Sequence, residues 1–483
     1  MGTKLKNIIK FGINALSNII NGSANAIFAL ILPPLLLEQL SLSEYSLWSY
    51  CLQTGALIGY LNLGVQTAVG RYVALYKTNN DINNTAKLIN TSNRILYIMF
   101  LIGVFTSLTL GYKIENLIKI DDLSVKEHAS FIIAIVSLGY AVSLLNNSYL
   151  GYFIGVQENH IPMWINVFSK IILGLAVIFV AHNGIVVMSI VFLIINIITT
   201  LFIIVYWKIK TELRDNNKIE YKDKNRFIKF CLGLSVWNIG MLLVSGMNTS
   251  IVGFYSFHDV AYFTIANGVV MALIGVVSTG LNPLIQIFTS LHADKEKEKL
   301  ARIVIMLTNI LAAFMLLSFS LYFALKDVLL DFWLQKEYIP PVAGFINLLI
   351  VSACVRVLNI PYALALIATG NQSRALLGAL IEGGVNITLA ILMCTIFGVR
   401  YIAVAMIVSS LVGFLYNVIV NMKITKNDIP IIKRKLLSVE MFCLSSGVIL
   451  SFYNHIAASV ICVLLIMYLV YCYMPILLGH RSI

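Results

Sequence analysis

The sequence predicts an all-α polytopic membrane protein with about fourteen transmembrane helices, and three observations predict it. Of its 483 residues 59% are hydrophobic and only 12% charged, where a soluble domain carries about 25% charged residues. The mean hydropathy is +0.89. The apolar residues are gathered into runs of about 20 or more, the length a helix needs to cross a hydrocarbon core about 30 Å thick. Lys and Arg fall between those runs with a strong bias to alternate connections. Each run must be a helix, because lipid offers no partner to an unpaired backbone amide.

In chain order the first half has runs at 8–37, 43–70, 91–112, 129–153, 161–181 and 184–207. The second half has them at 227–254, 259–288, 300–325, 340–368, 373–397 and 401–422, followed by two more at 436–453 and 456–478. The first run exceeds a signal-peptide core and has no small-residue cleavage site, so it is expected to stay as a helix. With the N-terminus inside, the inner segments hold 26 of the 34 Lys and Arg, the outer loops hold 6, and Lys170 and Arg356 lie within helices. Cytoplasmic loops carry such an excess, so both termini are expected in the cytoplasm. The same bias, with attraction to anionic lipid, accounts for the net charge of +12. No nucleic-acid partner is implied.

The chain is expected to divide into an N-lobe (1–207, helices 1–6), a charged cytoplasmic linker (208–226), a C-lobe (227–425, helices 7–12) and a final segment (426–483) with helices 13 and 14 and a cytoplasmic tail. A weak internal repeat supports the two lobes. Ile9-Lys10-Phe11 recurs as Ile228-Lys229-Phe230, and Tyr149 near the end of helix 4 has a counterpart in Tyr362 near the end of helix 10. Pro33-Pro34, Pro283 and Pro361 fall inside helices 1, 8 and 10, where they bend the axis or merely shape the bundle.

No metal, cofactor or covalent chemistry is expected. The seven cysteines stand singly in apolar runs with no CxxC, which reads as core packing. No GxxxxGK[ST] phosphate loop occurs, and no soluble segment is long enough to hold an enzyme domain.

Polar residues inside the helices carry the functional signal, because they are costly in lipid and turn toward a cavity or a partner. Helix 1 presents Asn14, Asn18, Asn21 and Asn25 at spacings of 4, 3 and 4, on one face. Helix 2 offers Gln53, Asn62 and Gln66, and helix 7 Asn238, Ser245 and Asn248. Such amides suit carbohydrate, or they bond between packed helices. The ionisable residues clearly within helices, away from their ends, are Lys170, Arg356 and Glu382, with Arg71 at the cytoplasmic end of helix 2. The cations are placed to meet an anionic phosphate. Alternatively Glu382 neutralises one of them, and Arg71 is a positive-inside anchor.

Several stretches resemble the O-antigen and polysaccharide repeat-unit flippases (Wzx-type) of the MOP (multidrug, oligosaccharidyl-lipid, polysaccharide) transporter superfamily. Ser43-Glu44-Tyr45-Ser46-Leu47-Trp48 is similar to that family's acidic-Tyr-Gly-x-Trp motif, with Ser46 where Gly is usual. The run from Leu63-Gly64 through Ala68 and Arg71-Tyr72 to Ala74 is similar to its LGxxxAxxRYxA signature. Ala261-Tyr262-Phe263 with Pro283, Ala368-Thr369-Gly370-Asn371 followed by Asn386, and Phe397-Gly398-Val399 extend the match, so that it covers about 40–420. Where many members carry an acid near the middle of helix 7, this chain has Asn248.

The resemblance implies two pseudo-symmetric six-helix lobes plus two helices, opening alternately to either side of a bacterial inner membrane. The cargo it implies is an undecaprenyl-diphosphate-linked oligosaccharide, of the O-antigen (lipopolysaccharide) or capsule type. Lys170, Arg356, Arg71, Asn14, Asn18, Asn21, Asn25, Gln66, Asn248 and Glu382 would line its central cavity. Pathway partners of this class are a polysaccharide polymerase and chain-length proteins. A cation-coupled multidrug exporter of the same superfamily is the first rival, although helix 1 contains no acid. A non-transporting polysaccharide-assembly protein or polymerase is the second, and it would be expected to carry a larger outer loop than 113–128 or 326–339.

Overall fold

The computed structural model describes residues 22, 26–78, 81–120, 122–211, 224–281 and 284–424. Asn14, Asn18, Asn21, Asn25, Pro283, the expected helices 13 and 14, Cys443, Cys462, Cys472 and the linker residues 212–223 lie outside them. The described residues form helices and turns, with no strand among them. In order they are α1 (Ala26–Leu37), α2 (Leu42–Ala56), α3 (Val65–Thr78), α4 (Ile82–Leu117), α5 (Leu123–Ser143), α6 (Asn147–Gly155), α7 (His160–Val180) and α8 (Ile185–Lys210). Then come α9 (Lys224–Met241), α10 (Asn248–Tyr255), α11 (Asp259–Leu281), α12 (Leu284–Ala293), α13 (Lys297–Trp333), α14 (Ile339–Ala368), α15 (Gln372–Ile396) and α16 (Ile402–Ile424). Among the described residues ten helical stretches are long and apolar enough to cross a membrane. Large apolar side chains such as Phe105, Phe179 and Phe332 stand exposed on their outer faces, as they do where lipid is the solvent.

The expected span at 43–70 differs. The run at 43–70 reads as a single helix by hydropathy, but it is α2, a 3-10 segment at Leu57–Asn62, and α3. Ser41 and Glu44 start α2 with a capping box: the Glu44 amide donates to Ser41 Oγ at 3.3 Å, and the Ser41 amide to Glu44 Oε2 at 2.8 Å. The interruption lies at Leu63 (φ +50) and Gly64 (φ +67), both left-handed. Asn62 Oδ1 accepts from the Gly64 amide at 2.8 Å and so caps the restart. A Cβ at Gly64 would also strike the Leu234 side chain, so glycine is required twice over.

Contacts group the chain into two compact units, one of residues up to Val276 with Asn386–Ile402, the other of Val277–Val385 with the residues from Ala403 on. In the first unit α3 lies directly against α6. Gly151 and Gly155, four apart, allow it: a Cβ at 151 would sit 2.5 Å from the Gln66 carbonyl oxygen, and one at 155 would sit 2.6 Å from that of Gly70. Small residues at this spacing let helix backbones approach in a membrane. Buried Val69, Tyr72, Phe153, Trp207 and Phe227 pack around the crossing. Gly151→Val is therefore expected to lower thermal stability in detergent by about 1–3 kcal/mol. Gly59→Ala, whose new methyl meets nothing within 4 Å, should leave the melt unchanged.

Between α9 and α10 the ladder widens into a π-turn at Leu242–Gly246, a feature that strands carbonyls. Asn386 takes them: its Nδ2 lies 3.2 Å from both the Leu243 and Val244 oxygens and 2.9 Å from Asn248 Oδ1. Asn386 and Asn248 are 0% and 1% exposed. In the second unit α14 runs unbroken through Pro361. An amide clasp ties it to α16: Asn417 Nδ2 donates to Asn359 Oδ1 at 2.9 Å and Asn421 Nδ2 to the Tyr362 carbonyl at 3.1 Å.

Candidate functional site

The first unit encloses a cavity of about 880 Å³, within the roughly 300–1,000 Å³ usual for ligand pockets. Four segments supply most of its polar lining, with α1 and α2 adding apolar side chains. The 3-10 segment and the start of α3 contribute Asn62 and Gln66, the α5–α6 junction Asn146 and Asn147, α7 Asn166 and Lys170, and α8 Asn196 and Thr199. The spacing explains the convergence: Asn166, Ser169 and Lys170 are related by three and four residues and share one helical face, and so do Asn196 and Thr199. Thr199 Oγ1 donates to Ser169 Oγ at 3.1 Å, which joins α8 to α7 along the wall. Asn147 and Asn196 bond to carbonyls of their own helical turns, Asn147 Nδ2 to Leu144 O at 3.0 Å and Asn196 Nδ2 to Phe192 O at 2.8 Å. Within the same lining Trp48 and Tyr140 pack on Phe192, with ring centroids 6.1 and 5.2 Å apart.

Among the described lining residues Lys170 is the only charged side chain, and no carboxylate faces the space. The chamber thus offers one cation and seven carboxamides, each able to donate and accept. Such a lining suits a ligand with an anionic group and several hydroxyls.

Apart from Gln66, the other expected site residues that are described fall elsewhere. Gln66 is in this cavity with Lys170. Arg71 is exposed on α3, its guanidinium 4.5 Å from the centre of the Phe230 ring. Asn248 is buried against Asn386 at the π-turn. Arg356 and Glu382 meet inside the second unit, Nε to Oε1 at 3.6 Å, with their side chains 12% and 10% exposed. Arg356 Nε also donates to Ser410 Oγ at 3.1 Å, and the Ser410 hydroxyl bonds Glu382. Arg356 and Glu382 thus stand as an ion pair in this structure. Sequence reasoning passed over Asn147, Asn166, Asn196 and Thr199. The repeat of polar residues at three and four around Lys170 was the signal that could have found Asn166.

The four described cysteines, Cys51, Cys231, Cys354 and Cys394, are buried and unbridged.

No protein-family model matches this sequence, and no curated protein does. Solved structures match by fold. One described as the lipid II flippase MurJ in an inward closed conformation aligns over 97% of this chain and 100% of its own, with a TM-score of 0.67 at 16% identity. An inward-facing multidrug resistance MATE family transporter of the MOP superfamily aligns over 86% of this chain and 99% of its own, with a TM-score of 0.59 at 16% identity. A MOP superfamily transporter from Pyrococcus furiosus, described as having a binding pocket of reverse polarity, aligns over 87% and 95%, with a TM-score of 0.55 at 15% identity. The chain is a multi-pass membrane protein with the all-helical MOP/MATE-like fold of transporters and flippases.

Proposed function

We propose that this chain is a flippase carrying an undecaprenyl-diphosphate-linked oligosaccharide, an O-antigen or capsule-type repeat unit, from the inner to the outer leaflet of the bacterial inner membrane. The observation that carries this reading is the cavity in the first unit, with carboxamides around Lys170 and no acid among its described lining residues. The amides receive sugar hydroxyls, Lys170 receives the diphosphate, and the polyprenyl chain stays in lipid. The fold likeness to a structure described as a lipid II flippase supports a lipid-linked cargo. A multidrug exporter binding an organic cation would want a carboxylate in the chamber, and the cavity presents an ammonium instead. The positive-inside bias supports an orientation with both termini in the cytoplasm. The lobes at 1–207 and 227–425 belong to the same proposal, as alternately opening halves. A polysaccharide polymerase and chain-length proteins would act on what it delivers.

Reconstitution tests this. Vesicles containing the protein and a polyprenyl-diphosphate oligosaccharide should expose the labelled glycan to an external lectin far faster than protein-free vesicles. Equal rates, together with uptake of an amphipathic organic cation, would overturn the assignment.

A further inference from the structure

A second cavity of about 340 Å³ lies in the same unit, bounded by Gln53, Tyr60, Asn62, Asn238, Gly246 and Asn267. None of its described lining residues is charged. Gly59 and Asn62 line both this cavity and the larger one that holds Lys170, so the 3-10 segment Leu57–Asn62 is the wall the two share. Two glycines shape this wall: a Cβ at Gly59 would meet nothing within 4 Å, and Gly246 lets the π-turn approach until a Cβ there would stand 2.7 Å from Leu57 Cδ2. Asn62 Oδ1 is already engaged by the Gly64 amide and by Asn238 Nδ2 at 2.9 Å. Asn267 differs. Its Oδ1 is buried and has no hydrogen-bond partner among the described residues, a costly arrangement in a folded protein.

We infer that this second cavity is a subsite for uncharged sugar residues, which continues the Lys170 chamber across the Gly59–Asn62 wall and receives the distal part of the glycan. The inference rests on the flippase reading and divides its cargo: diphosphate and first sugar beside Lys170, further neutral sugars among Gln53, Asn238 and Asn267. Turning of the Asn267 carboxamide toward the cavity lets its Oδ1 accept from a sugar hydroxyl, which ends its isolation. An acidic sugar is disfavoured there, because a carboxylate would lose its hydration with no cation among the described lining residues to meet it.

The vesicle assay tests this with three cargoes on one polyprenyl diphosphate: a single neutral sugar, a neutral tetrasaccharide, and that tetrasaccharide with a hexuronic acid at its far end. Asn267→Leu removes an orphaned polar atom, so its melting temperature should match or exceed the parent's. It should move the single-sugar lipid at the parent rate and the neutral tetrasaccharide about threefold to tenfold more slowly, the value of one hydrogen bond. The unmodified protein should move the neutral tetrasaccharide faster than the acidic one. Equal effects of Asn267→Leu on the short and long cargoes, or no preference between neutral and acidic glycans, would overturn the subsite and leave the flippase standing. Failure of the unmodified protein to move even the single-sugar lipid would overturn the flippase reading and the subsite with it.

Discussion

Lys170→Gln should cut transport of a lipid-linked diphosphate by roughly one to two orders of magnitude, the value of about 1.5–3 kcal/mol for a hydrogen bond to a charged group. The effect should be large because Lys170 is the cavity's only charged lining residue among those described, so no neighbouring cation can take over the phosphate. Lys170→Arg retains the charge and should keep much of the rate. Lys170→Glu should be worse than Gln, since it sets a carboxylate against the cargo's phosphates. Each variant is measured twice, by glycan exposure in vesicles and by thermal melting in detergent. A Gln variant that transports at the parent rate with an unaltered melt would remove Lys170 from the site. Loss of transport in Arg and Gln alike would show that shape, and not charge, is read at this position.

How far this was legible beforehand differs from element to element, for physical reasons. Hydropathy finds apolar length well, which is why spans such as 161–181 and 340–368 coincide closely with α7 and α14. It is blind to backbone dihedral angles. The break at Leu63–Gly64 therefore sits unseen inside an apolar run, although Gly64 and the Asn62 cap that enforce it are plain in the residues. Lys170 announced itself as a charge at membrane depth. Its companions did not, because a lone Asn in an apolar helix has the same sequence appearance whether it lines a cavity, as Asn166 does, or rescues stranded carbonyls, as Asn386 does. The two uses are separated by tertiary neighbours more than a hundred residues away: Asn386 answers a π-turn whose position depends on how Gly246 meets Leu57. Asn248 meets its partner on another helix, one of the two uses its amide left open.

Arg356 shows the same limit and leads to the other large effect expected. Twenty-six residues separate it from Glu382, on α14 and α15, and Ser410 of α16 joins them into one buried unit. The Ser352 hydroxyl extends it, 3.2 Å from both Ser410 Oγ and the Met406 carbonyl. Gly413 makes room for the carboxylate, since a Cβ there would collide with Glu382. Removing one member leaves the other charged, buried and unpaired, at a cost of about 3–5 kcal/mol. Arg356→Met and Glu382→Gln should thus each lower the melting temperature and deplete the protein from the membrane. Arg356→Met combined with Glu382→Leu removes both charges, and replacing a buried pair by apolar residues is often neutral or stabilising. The double variant should regain the melt and, if the pair serves only to hold α14, α15 and α16 together, regain transport as well. Recovery of stability without recovery of transport would give the guanidinium a part in handling cargo. A single Arg356→Met variant that melts like the parent would show that the pair does not hold these helices at all.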